Sequence, residues 1–136
     1  MALTIGQVAK AAHVNVETLR YYERRGIVPR PPRGPSLYRH YPDDTVPRVQ
    51  FVKHAQELGF SLREIGGLLS LRATSKARCA DVRRRAEIKI GEVETKIRAL
   101  RAIRSALKGL VSQCDGKSPA SACPILESLD DRRKSA

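Results

Sequence analysis

Apolar residues recur at intervals of three or four along residues 80–111, and this periodicity constrains the fold more than any other feature of the chain. Because no proline interrupts the segment, the pattern predicts one helix of about 30 residues with a single apolar stripe, as in a coiled coil. The stripe consists of Val82, Ala86, Ile90, Val93, Ile97, Leu100, Ile103, Leu107 and Leu110. The roughly 70 residues that precede the helix are too few to cover this stripe, so we expect it to pack against a second copy of the chain.

The chain begins with two predicted short helices. Residues 4–12, capped by Thr4, and residues 16–25, ended by Gly26, have helical periodicity and are separated by a tight turn. Two such helices, with small and apolar residues at their joint, form a helix-turn-helix pattern. The second helix presents an unusual concentration of polar, basic and aromatic side chains, namely Asn15, Glu17, Thr18, Arg20, Tyr21, Arg24 and Arg25.

A proline-rich segment follows and leads into a predicted wing. Residues 29–36 hold too many prolines for a helix, whereas residues 37–41 fit a short β-ribbon. The arginines and tyrosines of this region suit phosphate contact, because guanidinium groups pair with phosphate and tyrosine hydroxyls add directed hydrogen bonds. These side chains are Arg30, Arg33, Tyr38, Arg39 and Tyr41.

The next segment predicts a second helical pair. One helix is expected to begin with Asp43 or Asp44 as its cap and to end at Gly59, and residues 61–64 have the form of a capping box for the next helix. The glycines at 66–67 predict close packing of that helix against another element. The N-terminal part is therefore expected to be two helical pairs with a wing between them.

Composition limits the classes of function. The 136 residues carry a net charge of +12, which favours a polyanionic partner, nucleic acid before a membrane surface. The basic residues are spread along the whole chain, so the concentration of Arg and Tyr over residues 20–41 carries the nucleic-acid argument. No cluster of catalytic residues stands out, and we expect no enzyme. No apolar run approaches the ~20 residues of a membrane span, and the N-terminus has no signal-peptide pattern, so we expect a cytoplasmic protein with reduced thiols.

The three cysteines of the chain, Cys79, Cys114 and Cys123, lie at the two ends of the predicted long helix. At 1.5 Å per residue that helix holds its ends roughly 50 Å apart, so Cys79 cannot share an ion with Cys114 of its own chain. In an antiparallel pair, the start of one helix lies beside the end of the other. We therefore expect two equivalent three-thiolate metal sites per dimer, each with Cys79 from one chain and Cys114 and Cys123 from the other.

The donor set favours a soft cation. No histidine lies near the loop between Cys114 and Cys123, and three sulfurs alone suit tetrahedral zinc poorly but suit Hg(II) well. Water, Asp115 or Asp81 could still act as a fourth ligand. Two alternatives remain open, a sensor of another thiophilic ion such as Pb(II), Cd(II) or Zn(II), and a redox switch with a Cys114–Cys123 disulfide.

The order of these elements, with several sequence motifs, resembles the MerR family of transcription regulators. The resemblance covers residues 3–128. Its motifs here are TIGQVA at residues 4–9, ETLRYYE at 17–23 followed by GIV at 26–28, Tyr38-Arg39, and LGFSL at 58–62. Within the family, the spacing of the three cysteines and the Cys123-Pro124 pair are similar to those of the mercury-sensing members.

The resemblance implies a homodimer bound to double-stranded operator DNA within an over-long promoter spacer. It implies repression without metal, and activation when metal binding untwists and bends the DNA so that RNA polymerase can engage both promoter elements. The effector would be Hg(II), and the regulated genes would serve mercury resistance. The residues expected to contact DNA are Asn15, Val16, Thr18, Arg20, Tyr21, Tyr22, Tyr38 and Arg39.

The expected fold class is all-α with a small β wing. A winged helix-turn-helix DNA-binding domain is followed by a long antiparallel coiled-coil dimerisation helix. The expected segments are a DNA-binding domain at 1–72 with its helix-turn-helix at 5–25, a linker and dimerisation helix at 73–112, a metal-binding loop with a short C-terminal segment at 113–128, and a disordered tail at 129–136.

Overall fold

The structure is a computed structural model that describes residues 3–32 and 40–131, and the chain divides into two compact units, Met1–Lys89 and Ile90–Ala136. The all-α class is confirmed for the described residues. The helices are α1 (Ile5–Ala12), α2 (Val16–Arg24), α3 (Thr45–Glu57), α4 (Leu62–Ala73), α5 (Cys79–Ser112) and α6 (Pro124–Asp131), with a single 3-10 turn at Ala120–Ala122. None of the helices in the described ranges is long and apolar enough to span a membrane.

The turn between α1 and α2 is fixed by side-chain caps. Thr4 and Gln7 form a complete capping box, in which the Gln7 N–H donates to Thr4 Oγ1 (3.3 Å) and the Thr4 N–H donates to Gln7 Oε1 (2.9 Å). Asn15 Oδ1 accepts from the Thr18 N–H at 2.7 Å and so begins α2. His13 ends α1 in the left-handed region, with φ of 59°, and its carbonyl accepts from Lys53 Nζ of α3 at 3.0 Å. The two short helices are thus anchored to the third.

The core of the N-terminal unit lies where α1, α2, α3 and α4 meet. Each fully buried aliphatic side chain there contributes roughly 1.5–3 kcal/mol. The largest fully buried side chains are Tyr41, Leu19, Ile65, Val8, Val28, Val49 and Val52. Because Leu19 lies on α2 and Val8 on α1, the helix-turn-helix is part of this core rather than an appendage.

Only part of the predicted wing falls in the described residues. Tyr41 pairs with Leu3 in an antiparallel bridge, with N···O distances of 3.0 Å and 2.7 Å. Within residues 3–32 and 40–131, this bridge is the only β pairing. Residues 37–39 of the expected ribbon lie outside the described residues.

The second helical pair follows its predicted order, with one difference at the start. Helix α3 begins at Thr45 after Asp44, but the Asp44 side chain makes no capping hydrogen bond with a described residue. The predicted capping box of α4 is confirmed, since Ser61 Oγ accepts from the Glu64 N–H (3.1 Å) and Glu64 Oε1 accepts from the Ser61 N–H (2.8 Å). The predicted close packing at the glycines is also confirmed. A Cβ at Gly66 would lie 3.4 Å from Ile27 Cδ1, and one at Gly67 would meet the guanidinium of Arg85.

Helix α5 is one helix of 34 residues, as the periodicity predicts. Its apolar stripe is uncovered in the single chain. From Val82 to Leu107 the large side chains of the stripe are between 40% and 64% exposed. The following α6 extends to Asp131, three residues into the segment expected to be a tail, and both Leu126 and Leu129 on it are exposed.

Candidate nucleic-acid interface and metal-binding thiols

Helix α2 divides into a core face and an outer face. Leu19 and Tyr22 are its buried residues, and they are three positions apart, so they lie on one side of the helix. The expected DNA contacts Asn15, Arg20 and Tyr21 are exposed. Val16 and Thr18 are half-buried at the start of the helix. The structure therefore brings five of the expected contacts together on the outer face and first turn of α2.

Tyr21 is the centre of a basic and aromatic cluster on this outer face. The guanidinium carbons of Arg24 and Arg25 lie 5.8 Å and 6.0 Å from the centroid of its ring, within the range of cation–π attraction. Arg25 Nη1 also lies 3.5 Å from the Tyr21 hydroxyl oxygen. The contacts hold two cations beside one exposed ring, a surface suited to phosphate and sugar.

Tyr22 does not belong to this surface, so the prediction that it contacts DNA is wrong. The side chain is 3% exposed, and its hydroxyl donates to Gln56 Oε1 of α3 at 2.5 Å. Burial, together with the negative charge of Glu57, raises the pKa of the hydroxyl above its ordinary value, so it remains a donor. Tyr22 thus fixes α2 on α3 and cannot reach a phosphate.

The base of the wing is organised by Glu23, which the sequence reasoning did not single out. Its side chain is 2% exposed; Oε2 accepts from the Tyr41 hydroxyl at 3.0 Å and lies 3.8 Å from Arg30 Nε. The available signal was a carboxylate that follows two tyrosines and precedes two arginines. Glu23 thus joins α2 to Arg30 and to Tyr41, whereas the expected contacts Tyr38 and Arg39 lie outside the described residues.

Cys79 is the first residue of α5 and is exposed. The start of the helix is stabilised by Asp81, whose Oδ2 accepts from the Arg78 N–H at 2.8 Å. Asp81 is one of the expected candidates for a fourth metal ligand. In the structure its carboxylate instead caps the N-terminus of α5 through this hydrogen bond. The thiol at position 79 therefore projects from a helix N-terminus whose first turn is held by a side-chain cap.

The loop that carries the other two thiols is ordered by Asp115. Its Oδ1 accepts from the N–H groups of Lys117 (2.8 Å) and Ser118 (2.9 Å), and its Oδ2 accepts from Ser118 Oγ at 3.0 Å. These donors, the Lys117 N–H first, lower the pKa of the Asp115 carboxyl below its ordinary value. The loop is therefore organised by an ionised carboxylate that is already occupied by three donors.

Hydrogen bonds also order the two cysteines of this loop, at the sulfur of Cys114 and at the backbone of Cys123. The Gly116 N–H donates to Cys114 Sγ at 3.3 Å, from a glycine whose φ of +73° suits a residue without Cβ. Cys123 is half-buried, and its carbonyl accepts from the Glu127 N–H at 3.1 Å, which begins α6. Both thiols are thus attached to defined backbone, one at each end of the loop.

All three thiols are free. Within residues 3–32 and 40–131 of one chain, no three His, Cys, Asp or Glu side chains lie together as a metal site requires. At 1.5 Å per residue, the helix that separates Cys79 from Cys114 is roughly 50 Å long. The cysteines fit a thiophilic ion by donor type.

Comparison with known proteins identifies the family. Residues 3–71 match the model described as MerR HTH family regulatory protein, and residues 46–110 match that of MerR, DNA binding. The mercuric resistance operon regulatory protein of Bacillus cereus is 40% identical over 95% of this chain and 98% of its own. Both the resemblance drawn from the sequence and the expected keywords of DNA binding and transcription regulation are confirmed.

Two solved structures extend the similarity to most of the chain. The transcription regulator PbrR691 of Ralstonia metallidurans CH34, in complex with lead(II), superposes with a TM-score of 0.83 at 33% identity, covering 93% of this chain and 98% of that one. MerR of Bacillus megaterium MB1, in complex with mercury(II), gives a TM-score of 0.71 at 35% identity with the same coverage. The chain therefore belongs to the MerR family of helix-turn-helix regulatory proteins.

Proposed function

We propose that this protein is a Hg(II)-responsive transcription regulator of mercury-resistance genes. As a homodimer it represses its promoter without metal. With Hg(II) bound, it untwists and bends operator DNA so that RNA polymerase can engage both promoter elements. The binding energy of the protein offsets the cost of deforming the DNA, which is a form of indirect readout.

The observation that carries the proposal is the distribution of the thiols. Cys79 begins α5, and Cys114 and Cys123 bracket the loop that follows the end of this helix. One cysteine therefore lies at the start of α5 and two lie beyond its end. Three soft donors, with no histidine in the loop between Cys114 and Cys123, fit Hg(II) better than zinc. Asp115, the other expected candidate for a fourth ligand, is engaged by three hydrogen-bond donors of its own loop.

The uncovered stripe of α5 supports a dimer. Side chains such as Leu100, at 64% exposure, leave a continuous apolar surface that water solvates poorly, and a second α5 is the simplest cover. An antiparallel arrangement brings Cys79 of one chain to Cys114 and Cys123 of the other. Each dimer then has two equivalent three-thiolate sites.

The outer face of α2 supports contact with DNA. Arg20 and Tyr21 are exposed on it, and Thr18 and Val16 lie at its N-terminal end, where a recognition helix meets base edges. We propose these residues, with Asn15, Tyr38 and Arg39, as the DNA contacts. Tyr22 is excluded because it lies in the core.

A second candidate effector is Pb(II), which the lead(II)-bound relative with its TM-score of 0.83 favours. A titration of a reporter promoter with Hg(II), Pb(II), Cd(II) and Zn(II) separates the candidates. We expect half-maximal induction at a concentration of Hg(II) at least about tenfold below that of any other ion. If half-maximal induction requires a lower concentration of Pb(II) than of Hg(II), the effector is lead rather than mercury.

The same reporter tests the ligands. Replacement of Cys79, Cys114 or Cys123 by Ser, one at a time, is expected to abolish induction while repression in the absence of metal remains. Lys117→Ala is the matched control, because it alters an exposed side chain of the same loop, keeps the backbone N–H that Asp115 accepts from, and removes no thiol. If a cysteine variant is induced as strongly as the parent, the replaced cysteine is not a metal ligand. Oxidant-dependent induction after complete metal removal would favour the redox switch instead.

A further inference from the structure

The one buried residue of the long helix is charged. Among the residues of α5, all of which the structure describes, Lys89 alone is buried, at 9% exposure, while the large apolar side chains of the same helix are exposed. A lysine is seldom buried without a partner, because removing an ammonium group from water costs more than a methylene chain gains. A buried lysine on a helix whose large apolar side chains are mostly exposed indicates that Lys89 makes a specific contact.

The contact joins α5 to the first turn of α4. Lys89 Nζ lies 2.9 Å from Glu64 Oε1, and it stands 5.4 Å from the centroid of the Phe60 ring. The methylene chain passes Gly59, where a Cβ would lie 3.9 Å from Lys89 Cδ. Lys89 thus reaches across the turn that links α3 to α4 and ends on one carboxylate oxygen.

That carboxylate has a second role. Glu64 Oε1 also accepts from the Ser61 N–H at 2.8 Å, which is half of the capping box that begins α4. The Ser61 N–H and the Lys89 ammonium together lower the pKa of the Glu64 carboxyl to about 2, so it is ionised at neutral pH. A single ionised oxygen therefore holds both the start of α4 and the side chain from α5.

A second contact lies one turn closer to Cys79. The guanidinium of Arg85 rests against Gly67 of α4, where a Cβ would collide with it. Arg85 and Lys89 are four positions apart on α5, and so are on one face. From Cys79 to Lys89 the path runs ten residues along a single helix, or about 15 Å. From α4 it continues through the shared core to α3, which holds Tyr22 of α2 by the Gln56 hydrogen bond.

We propose that the Lys89–Glu64 pair is the joint through which α5 positions the DNA-binding helices, so that metal bound at Cys79 acts on the DNA through this contact. The inference rests on the proposed function. Because a close, partly buried ion pair depends on distance and direction, a small rotation of α5 either carries α4 with it or breaks the pair. In this proposal Lys89 and Glu64 are positioning residues, which act through α4 rather than as metal ligands or DNA contacts.

Two variants break the joint in different ways. Lys89→Met removes the ammonium and keeps the methylene chain, and Glu64→Gln removes the charge but keeps an oxygen that can accept from the Ser61 N–H. Lys89→Arg keeps a cation that can reach the carboxylate. Arg83→Gln is the matched control, since it breaks an exposed Arg83–Glu87 pair (3.7 Å) on the same helix.

The experiment measures three quantities on the purified dimer: the number of Hg(II) ions bound, the affinity for operator DNA, and the Hg(II)-dependent untwisting of an operator plasmid relaxed by topoisomerase. For Lys89→Met and Glu64→Gln we expect metal stoichiometry and operator affinity within about threefold of the parent, while the ratio of untwisting with and without Hg(II) falls by about tenfold. Lys89→Arg and Arg83→Gln are expected to behave like the parent.

The outcomes separate the two proposals. If Lys89→Met and Glu64→Gln untwist DNA in response to Hg(II) as the Arg83→Gln control does, the joint is overturned while the proposed function stands. If both variants lose operator affinity together with the response, the pair has only a structural role and the joint is overturned as well. If the parent chain itself shows no Hg(II)-dependent untwisting, the proposed function fails, and the joint fails with it.

Discussion

The two units of the chain treat their apolar residues in opposite ways. In Met1–Lys89 the large aliphatic side chains of α1 to α4 are buried or half-buried, and hydrogen bonds between helices, such as Lys53 to the His13 carbonyl, fix the positions of the helices. In Ile90–Ala136 the side chains of comparable size on α5 and α6 are exposed. The first unit therefore completes its own core, whereas we propose that a second copy of the chain covers the apolar surface of the second unit.

The largest expected effect comes from a charge in the stripe of the second unit. Leu100→Glu puts a carboxylate in the proposed seam of both copies and removes about 2–3 kcal/mol of burial from each, so we expect the dissociation constant of the dimer to rise by at least about 100-fold. Sedimentation equilibrium measures it.

Arg101→Glu is the control for this substitution, because it adds a carboxylate at the neighbouring exposed position and lies off the stripe. Its dimer is expected to dissociate less than about tenfold more readily than the parent. A Leu100→Glu chain that remains as dimeric as this control would show that the stripe is covered in some other way.

A cavity in the first unit is expected to have the next largest effect. Ile65 of α4 is fully buried, and Ile65→Ala should lower the free energy of unfolding by about 2–4 kcal/mol, measured by urea denaturation. Ile88→Ala on α5 removes the same atoms from a side chain that is 57% exposed and off the stripe, and should cost less than about 0.5 kcal/mol. Equal losses at the two sites would contradict the contrast between the buried core of α1 to α4 and the exposed side chains of α5.

Acid should weaken the first unit through Glu64. Its pKa is lowered from 4.5 to about 2 in the folded chain, so its contribution to stability is complete above pH 4.5 and is lost as pH falls toward 2. The carboxylate is partly exposed and screened by water, so the effect is about 1 kcal/mol or less.

Thermal unfolding at a series of pH values measures this contribution. Glu64→Gln should reduce the loss of stability between pH 5 and pH 2, whereas Glu87→Gln, at an exposed position of α5, should leave it unchanged. If the stability of the Glu64→Gln chain depends on pH as that of the parent does, the Lys89–Glu64 ion pair does not contribute to the stability of this unit.

The smallest expected effect is a gain in stability at the turn of the helix-turn-helix. His13 has φ of 59°, which is favourable for glycine and costs other residues free energy. Because the His13 carbonyl rather than its side chain accepts from Lys53, His13→Gly keeps this bond and should raise the free energy of unfolding by about 0.5–1 kcal/mol in thermal unfolding. A loss of stability would show that the imidazole makes a stabilising contact.

Local features of this fold could be predicted from the sequence, and long-range contacts could not. The stripe of α5 and the capping box at Ser61 follow from spacings of three or four residues, which one helix determines by itself. The pairing of Lys89 with Glu64 and of Glu23 with Tyr41 depends on how separate helices meet, so no local pattern reveals it.

Two expectations were wrong for local reasons. Tyr22 was grouped with Tyr21 because the two residues are adjacent in a helix that presents arginines. However, its spacing of three from Leu19 places it on the core side, and this signal was available. Asp44 precedes α3 as predicted, but a side chain at that position caps the helix only if its backbone takes an extended conformation, and here ψ is −4°.

We propose that the thiols of two chains complete each metal site, and a mixed dimer provides the decisive test. One chain carries Cys79→Ala and a first affinity tag, and the other carries Cys114→Ala with Cys123→Ala and a second tag, so that sequential purification isolates the heterodimer. In equilibrium dialysis against Hg(II) with a competing thiol, we expect two ions per parent dimer, one per mixed dimer and none for either mutant homodimer. A mixed dimer that binds no Hg(II), beside a parent that binds two, would contradict the shared site.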